Sequence, residues 1–292
     1  MSVVGVDVGG TFVKAVRLDP NRDVVARALE PTPDVPSAIL DVVASVATQL
    51  GPGLPLGLGL AGLVDHEAGQ LVWAPHLPGT AVDFRDPLRA RLGVPVTVDN
   101  DANMAALAEH RLGAGQGADH MLMITLGTGI GMGAILGGRV YRGRGHAGEV
   151  GHITIDTNGD HCACGRKGCW ETKVSGSRFG ADARELLGAD TRAEDLVEAA
   201  LGGDSKAIER ITEAGEWLAV GLETLVLVFD PDVIVIGGAA AGAGDLLLDP
   251  VRRRLSVTEG AGHRPLAKIV PSVLGPEAGA IGAAIAAMEE TR

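Results

Sequence analysis

Aromatic residues make up only 3% of this 292-residue chain, and tyrosine occurs once. A ligand recognised by stacking on ring faces would therefore rest on few side chains. Trp73 and Trp170 are the candidates, with core packing as the competing reading of each. Cysteine is scarce too: there are three, all between positions 162 and 169. An odd number in one short window argues against a disulfide framework and for a metal. No apolar run reaches the roughly 18 residues of a membrane span. The longest candidate, 224–248, is interrupted by Asp230, Asp232 and Asp245. The N-terminus has no basic stretch before its first apolar run, so no signal peptide is expected, and the cytosol is the expected compartment. Positive charge is also in deficit, with a formal net charge of −12. Such a surface repels polyanions, so neither nucleic acid nor membrane is expected as a partner.

What the chain has in quantity is glycine, 43 residues, within a 46% hydrophobic composition. The glycines sit in short clusters at the ends of apolar runs, as expected of tight turns or of backbone approaching a ligand. Residues 3–8 and 12–18 read as two strands around the turn Gly9-Gly10-Thr11. Helical spacing follows over 37–50, strands over 55–61 and 94–98, and a helix over about 102–112 capped by Asn100 or Asp101. A second hairpin begins at 120, around Gly127-Thr128-Gly129. It repeats the opening plan of strand, Gly-Thr turn, strand, which suggests two lobes of one design. The glycine-rich stretch 113–119 marks the boundary. The expected lobes are residues 1–115 and 116–276, with a terminal helix over about 277–292 packing back on the first. Helices are expected at about 172–188, 192–201 and 205–229, and strands at 233–236 and about 267–273. Alternating strands and helices give an α/β class.

Glycine turns at strand ends can aim backbone N–H groups at phosphate. Gly9, Gly10 and Thr11 form one such turn, with Lys14 as a nearby cation and Asp7 able to hold Mg²⁺ directly or through water. Gly127, Thr128, Gly129 and Gly131 form a second, and Gly237-Gly238 a third. Three turns spread over both halves fit a nucleotide between two lobes. The spacing matches neither a dinucleotide fingerprint nor a Walker A loop. Asp101, between a strand and a helix, can accept a proton from a substrate hydroxyl, or it can be a plain helix cap. Cys162, Cys164, Cys169 and His152 make a Cys₃His set suited to structural zinc. His161 is the alternative fourth ligand. His152 is preferred, because His161 abuts Cys162 and would strain a shared tetrahedron. Glu149 and Glu171 flank this loop and can orient hydroxyl groups.

Together these motifs resemble the ROK family of sugar kinases and repressors over nearly the whole chain. Asp7-Val-Gly-Gly-Thr11 and Leu126-Gly-Thr-Gly-Ile-Gly131 are similar to its two phosphate motifs. The segment 59–65 (GLAGLVD) resembles a sugar-pocket segment around Gly62, and Asn100-Asp101-Ala-Asn103 resembles the catalytic one. Gly148-Glu149-Val-Gly-His152 followed by Cys162-x-Cys164-Gly-x-x-Gly-Cys169-x-Glu171 resembles the family signature with its spacing intact. The resemblance implies a two-lobed actin-like ATPase (ribonuclease H-like) fold with an interlobe cleft. It implies ATP and Mg²⁺ at the glycine turns and Asp101 as the base. Gly62, Asn100, Glu149, His152 and Glu171 would surround the sugar, with His152 also on zinc. It implies a homodimer or homotetramer. Three positions depart from the common pattern: Ala239 after Gly237-Gly238, His76 where many glucokinases of the family have Asn, and Lys173 after the signature Glu.

The expected activity is ATP-dependent phosphorylation of a hexose, with glucose to glucose 6-phosphate the leading reading. The alternatives are a kinase for N-acetylmannosamine, N-acetylglucosamine, fructose, mannose or allose, or a polyphosphate-using glucokinase. A sugar-sensing regulator is disfavoured by the acidic charge and by the position of Asp7, which leaves no room ahead of it for a DNA-binding helix-turn-helix.

Overall fold

The computed structural model describes residues 1–259 and 267–291. The end of the expected large lobe around 260–266, and Arg292 of the terminal helix, lie outside the described residues. In chain order the strands and helices begin with β1 (Val3–Val8), β2 (Phe12–Leu18), β3 (Val24–Pro31), α1 (Pro36–Leu50), β4 (Leu56–Leu60), β5 (Leu63–Asp65), β6 (Gln70–Trp73) and β7 (Val82–Asp83). Then come α2 (Arg85–Leu92), β8 (Val96–Asn100), α3 (Asp101–Leu112), β9 (His120–Leu126), β10 (Ile130–Leu136) and β11 (Arg139–Val140). The remainder is α4 (Gly176–Leu187), α5 (Ala193–Leu201), α6 (Ser205–Phe229), β12 (Val233–Gly237), α7 (Asp245–Glu259), β13 (Lys268–Pro271) and α8 (Ala278–Glu290). Among the described residues, no helix is long and apolar enough to cross a membrane.

Two five-stranded sheets share one plan: β3-β2-β1-β4-β8 and β11-β10-β9-β12-β13. In each, an antiparallel hairpin supplies the central strand, and the next two strands run parallel to it. The parallel strands of the first sheet finish at one edge. Register aligns Asp7 with Gly59, and Gly59 with Asp99. Ligands of open α/β sheets gather beyond such carboxyl ends.

The strand cores are apolar on both faces, as parallel sheets covered by helices require. One buried cluster lies under α1 and α2, and another under α4 to α7. A third joins the sheets through α3 and α8, with Met104, Leu107, Met121, Val235, Ile281 and Ile285 among its members. Glycine makes this joint possible by letting α8 backbone lie on strand backbone at β4 and on helix backbone at α3. A Cβ on Gly57 would overlap Ala283 O, and one on Gly282 would overlap Met104 O. Gly57→Ala should therefore lower stability by about 2 kcal/mol or more, since neither backbone can yield cheaply. Gly242→Ala, with nothing near its Cβ position, should be close to neutral. Urea unfolding of the two variants against the parent checks this.

Several boundaries differ from expectation for local reasons. The helix expected from 172 starts at Gly176, because Ser175 accepts a hydrogen bond from Arg178 N and caps it. Residues Trp170–Thr172 form a separate 3₁₀ turn. The terminal helix begins at Ala278, after a 3₁₀ turn over Gly275–Glu277.

Candidate functional site

The carboxyl edge of the first sheet runs directly into α3. Asn100 caps that helix, its Oδ1 accepting from Ala102 N at 2.9 Å and Asn103 N at 3.1 Å. Its Nδ2 donates to Gly62 O at 2.9 Å and to Asp101 Oδ1 at 3.0 Å. Both hydrogens and both lone pairs of the amide are thus engaged within the protein. Asn100 fixes the turn and the Asp101 side chain; a further contact to a sugar would have to displace one of these bonds. Gly62, whose carbonyl it holds, has φ +147°, and a Cβ there would lie 2.6 Å from Trp73 O.

Asp101 is the first residue inside the helix, so the main cap role falls to its neighbour; Asp101 Oδ1 accepts from Ala102 N at 2.9 Å and from Asn100 Nδ2. Burial, together with the Asp7 charge and more weakly that of Glu149, pushes its pKa up to about 7. Asp7 is pushed up to about 6 by burial, against the opposing pull of Lys14, which pairs with it across the hairpin. Asp7 Oδ1 is a buried acceptor with no hydrogen-bond partner. An orphaned acceptor is costly unless something fills it, and a divalent cation or its water would. Gly279, in the first turn of α8, keeps the space beside this carboxylate open: a Cβ there would lie 2.8 Å from Asp7 Oδ2.

The first glycine turn is closed by Gly9 N donating to Phe12 O at 3.0 Å. Thr32 braces it from outside, its Oγ1 donating to Gly9 O at 2.7 Å. His76 lies over it, with its Cβ 2.9 Å from where a Gly10 Cβ would be. The second turn, between β9 and β10, is tied to the start of α4 by Gly176 N donating to Gly127 O at 2.6 Å. The third meets the second directly: a Cβ on Gly238 would lie 2.5 Å from Leu126 O. Of the glycines proposed for phosphate, only Gly238 has a left-handed φ, +90°. At some of the others the lack of a side chain matters for space. A Cβ on Gly129 would press to 2.5 Å from Glu171 Oε2, and one on Gly131 to 2.7 Å from Thr125 Oγ1. The side chain of Glu171 therefore lies against the second turn.

Glu171 links that turn to the metal loop. Its Oε1 is 2.9 Å from Cys162 Sγ and 3.3 Å from His152 Nδ1. Candidate ligand atoms of His152, Cys162, Cys164 and Cys169 all lie within 4.8 Å of one another. Cys164 and Cys169 Sγ are 3.6 Å apart, and Cys162 Sγ is 3.7 Å from His152 Nδ1. Tetrahedral zinc with its usual bond lengths would separate S from S, and S from N, by roughly 3.5–3.8 Å. The donor set and its spacing fit zinc, and His161 is not part of it. With Nδ1 toward the sulfurs, His152 turns Nε2 toward Glu149, 3.9 Å from Oε2. Trp170 is wholly buried and donates to Trp217 O at 3.0 Å, so it is core. Trp73 is 43% exposed.

Two residues at this site were not anticipated from sequence, Asp99 and Arg142. Asp99 is 2% exposed and accepts from Asn100 N at 2.7 Å, Asn103 Nδ2 at 3.0 Å and Arg142 Nε at 2.7 Å. Its place in the acid-rich run at the end of β8 was a signal that could have flagged it. Nothing local marks Arg142.

The family model described as ROK family matches residues 3–290. A glucokinase of Streptomyces coelicolor is 35% identical over 308 residues, covering 98% of this chain and 97% of that protein. The structure of a ROK family glucokinase from Streptomyces griseus in complex with glucose and AMPPNP superposes with TM-score 0.89 at 34% identity, covering 99% of this chain and all of that one. A ROK hexokinase from Thermus thermophilus superposes at 0.84 with 36% identity, covering 100% of this chain and 99% of that one. The two-lobed actin-like fold expected from sequence is the fold of these structures.

Proposed function

The chain belongs to the ROK family, and on that premise we propose that this sugar kinase transfers the γ-phosphoryl group of ATP to the 6-hydroxyl of glucose. The observation that carries the reading is Asp101: a carboxylate at a strand end, poised near neutral pH, beside a second acid that suits a cation. It is supported by the relative from Streptomyces griseus, whose structure holds glucose and AMPPNP.

Asp101 takes the proton of the 6-hydroxyl as its oxygen attacks phosphorus. Asp7 would hold Mg²⁺, which neutralises charge on the phosphate oxygens when bound. Gly10, Thr11, Gly127, Thr128, Gly129 and Gly131 offer backbone donors to the phosphates; Gly9, whose own N–H goes to Phe12 O, offers open space, with Lys14 as a nearby cation. Gly237 and Gly238 face the nucleoside side. Glu149, His152 and Glu171 orient the sugar hydroxyls, with Gly62 and Asn100 framing the base. The zinc set His152, Cys162, Cys164 and Cys169 does no chemistry; it holds His152 with Nε2–H as a donor toward the sugar side. We take residues 1–115 with the terminal helix as the small lobe and 116–276 as the large one. The chain then works in the cytosol as a homodimer or homotetramer.

The base is active only when ionised. The kcat/KM for sugar should fall tenfold per pH unit below a limb with an apparent pKa near 7, shared between Asp101 and Asp7. A profile flat down to about pH 5.5 would contradict the assignment. Sugar identity is tested by a panel of glucose, mannose, fructose, allose, N-acetylglucosamine and N-acetylmannosamine, each with ATP or polyphosphate. Glucose with ATP should give the highest kcat/KM. Preference for another pair would overturn glucose while leaving the kinase reading intact, and His76 would then be the residue to exchange.

A further inference from the structure

Arg142 follows β11 at the edge of the second sheet, and its side chain reaches the first. Arg142 Nε donates to Asp99 Oδ2 at 2.7 Å, while Asp99 Oδ1 accepts from Asn100 N and Asn103 Nδ2. One buried carboxylate thus ties down the turn that carries Asp101 with one oxygen and holds the opposite half with the other. The backbone of Arg142 is engaged as well as its side chain. Its carbonyl accepts from Gly145 N at 2.8 Å and Ala147 N at 3.3 Å, closing the loop that leads to Glu149.

That loop turns on three left-handed glycines, with φ +56° at Gly143, +97° at Gly145 and +101° at Gly148. It lies against the first half at a second point, where a Cβ on Gly145 would be 3.3 Å from Val64 O. At its far end Gly148 backs onto Met132 O, and Glu149 follows at once. A loop this rich in glycine has little stiffness of its own. A charge-assisted bond onto a carboxylate with no freedom to move supplies the missing constraint.

We infer that Asp99 and Arg142 form an interlobe strap that sets the distance and angle between Glu149 and Asp101. Both are positioning residues, and neither touches the reacting atoms. The inference rests on the reading of Asp101 as base and Glu149 as a sugar ligand. A bond that merely held the halves together would cost stability on removal and leave the turnover of the folded protein unchanged. A strap misplaces the sugar relative to the base when it is cut, and a displacement near 1 Å at such a site costs on the order of 10²-fold.

The experiment compares the zinc-loaded wild-type chain with Arg142→Gln, Arg142→Lys, Asp99→Asn and the double variant Asp99→Asn/Arg142→Gln. Sugar and ATP kinetics are measured well below each melting temperature. Arg142→Gln should lose on the order of 10²-fold in kcat/KM for sugar, with KM for ATP within about twofold of wild type. Arg142→Lys should recover part of the loss, because it keeps the charge without the guanidinium geometry. The double variant should be no worse than either single one, since the pair acts as a unit.

Sugar kinetics within twofold of wild type in folded Arg142→Gln would overturn the strap. So would a double variant that folds and turns over like wild type where Arg142→Gln alone fails to fold, because that pattern belongs to a purely structural bond. Equal losses toward sugar and ATP would also count against it. A wild-type chain that phosphorylates no sugar overturns the kinase reading, and the strap with it.

Discussion

Asp101→Asn should lose about 10³-fold or more of kcat while still binding sugar and ATP, the loss expected when a general base is removed. Geometry predicts retained binding. The acceptors that hold the turn belong to Asn100 and Asp99, and an asparagine at 101 can still accept from Ala102 N. The same substitution should stabilise the fold. Asp101 ionises near pH 7 in the folded chain against 3.8 for an unhindered carboxyl. Above pH 7 it is charged in both states, and the folded state bears the cost of a desolvated charge beside Asp7. That cost shrinks as pH falls through 7 and is gone below the unfolded value. At pH 8 the Asn variant should therefore melt a few degrees higher than wild type. Calorimetry and a coupled ADP assay on one preparation test both halves. Near wild-type turnover would remove Asp101 as base. A lower melting temperature would contradict the strained-charge account of its pKa.

Cys164→Ser should lose the zinc and with it much of the sugar affinity. Cys164 is the most accessible of the three thiols, so its loss leaves the buried pair Cys162 and Cys169 in the fold. A three-ligand remnant holds structural zinc poorly. His152, Glu171 and the second glycine turn are all in contact with the loop, so the effect should reach the site. KM for sugar should rise roughly tenfold or more, and metal analysis should fall well below about one zinc per chain. Full zinc content with unchanged KM would refute the ligand set. A zinc-free protein with wild-type sugar kinetics would keep the ligands and refute their role in placing His152 and Glu171.

Much of this was legible from residue order, for reasons that differ by element. The first hairpin was readable to the residue, and the second up to its turn, because apolar runs stop abruptly at Gly-Thr turns. α6 runs over the expected span; the structure caps it with Asp204 and ends it at the left-handed Asp230. The metal set was readable because four ligands, three cysteines and a histidine, fall in one window. β3 was missed because it is an edge strand, with Val25 and Leu29 exposed and no clean alternation of apolar and polar. α2 buries only Leu88, too little to make a periodic stripe. α7 carries Pro250 inside it, which reads as a breaker. Glycine at the phosphate turns permits a left-handed backbone. Only Gly238 uses that freedom; Gly129, Gly10 and Gly131 instead leave room for Glu171, His76 and Thr125. Least legible was the Asp99–Arg142 bond. Its partners are 43 residues apart, and only the packing of one half on the other brings them together.

The most direct test of the central claim is a ³¹P NMR record of the zinc-loaded chain turning over with ATP, Mg²⁺ and glucose. The account predicts that ADP and glucose 6-phosphate grow together in equal amounts, with no build-up of inorganic phosphate. ADP accompanied only by inorganic phosphate, or no loss of ATP at all, would contradict it.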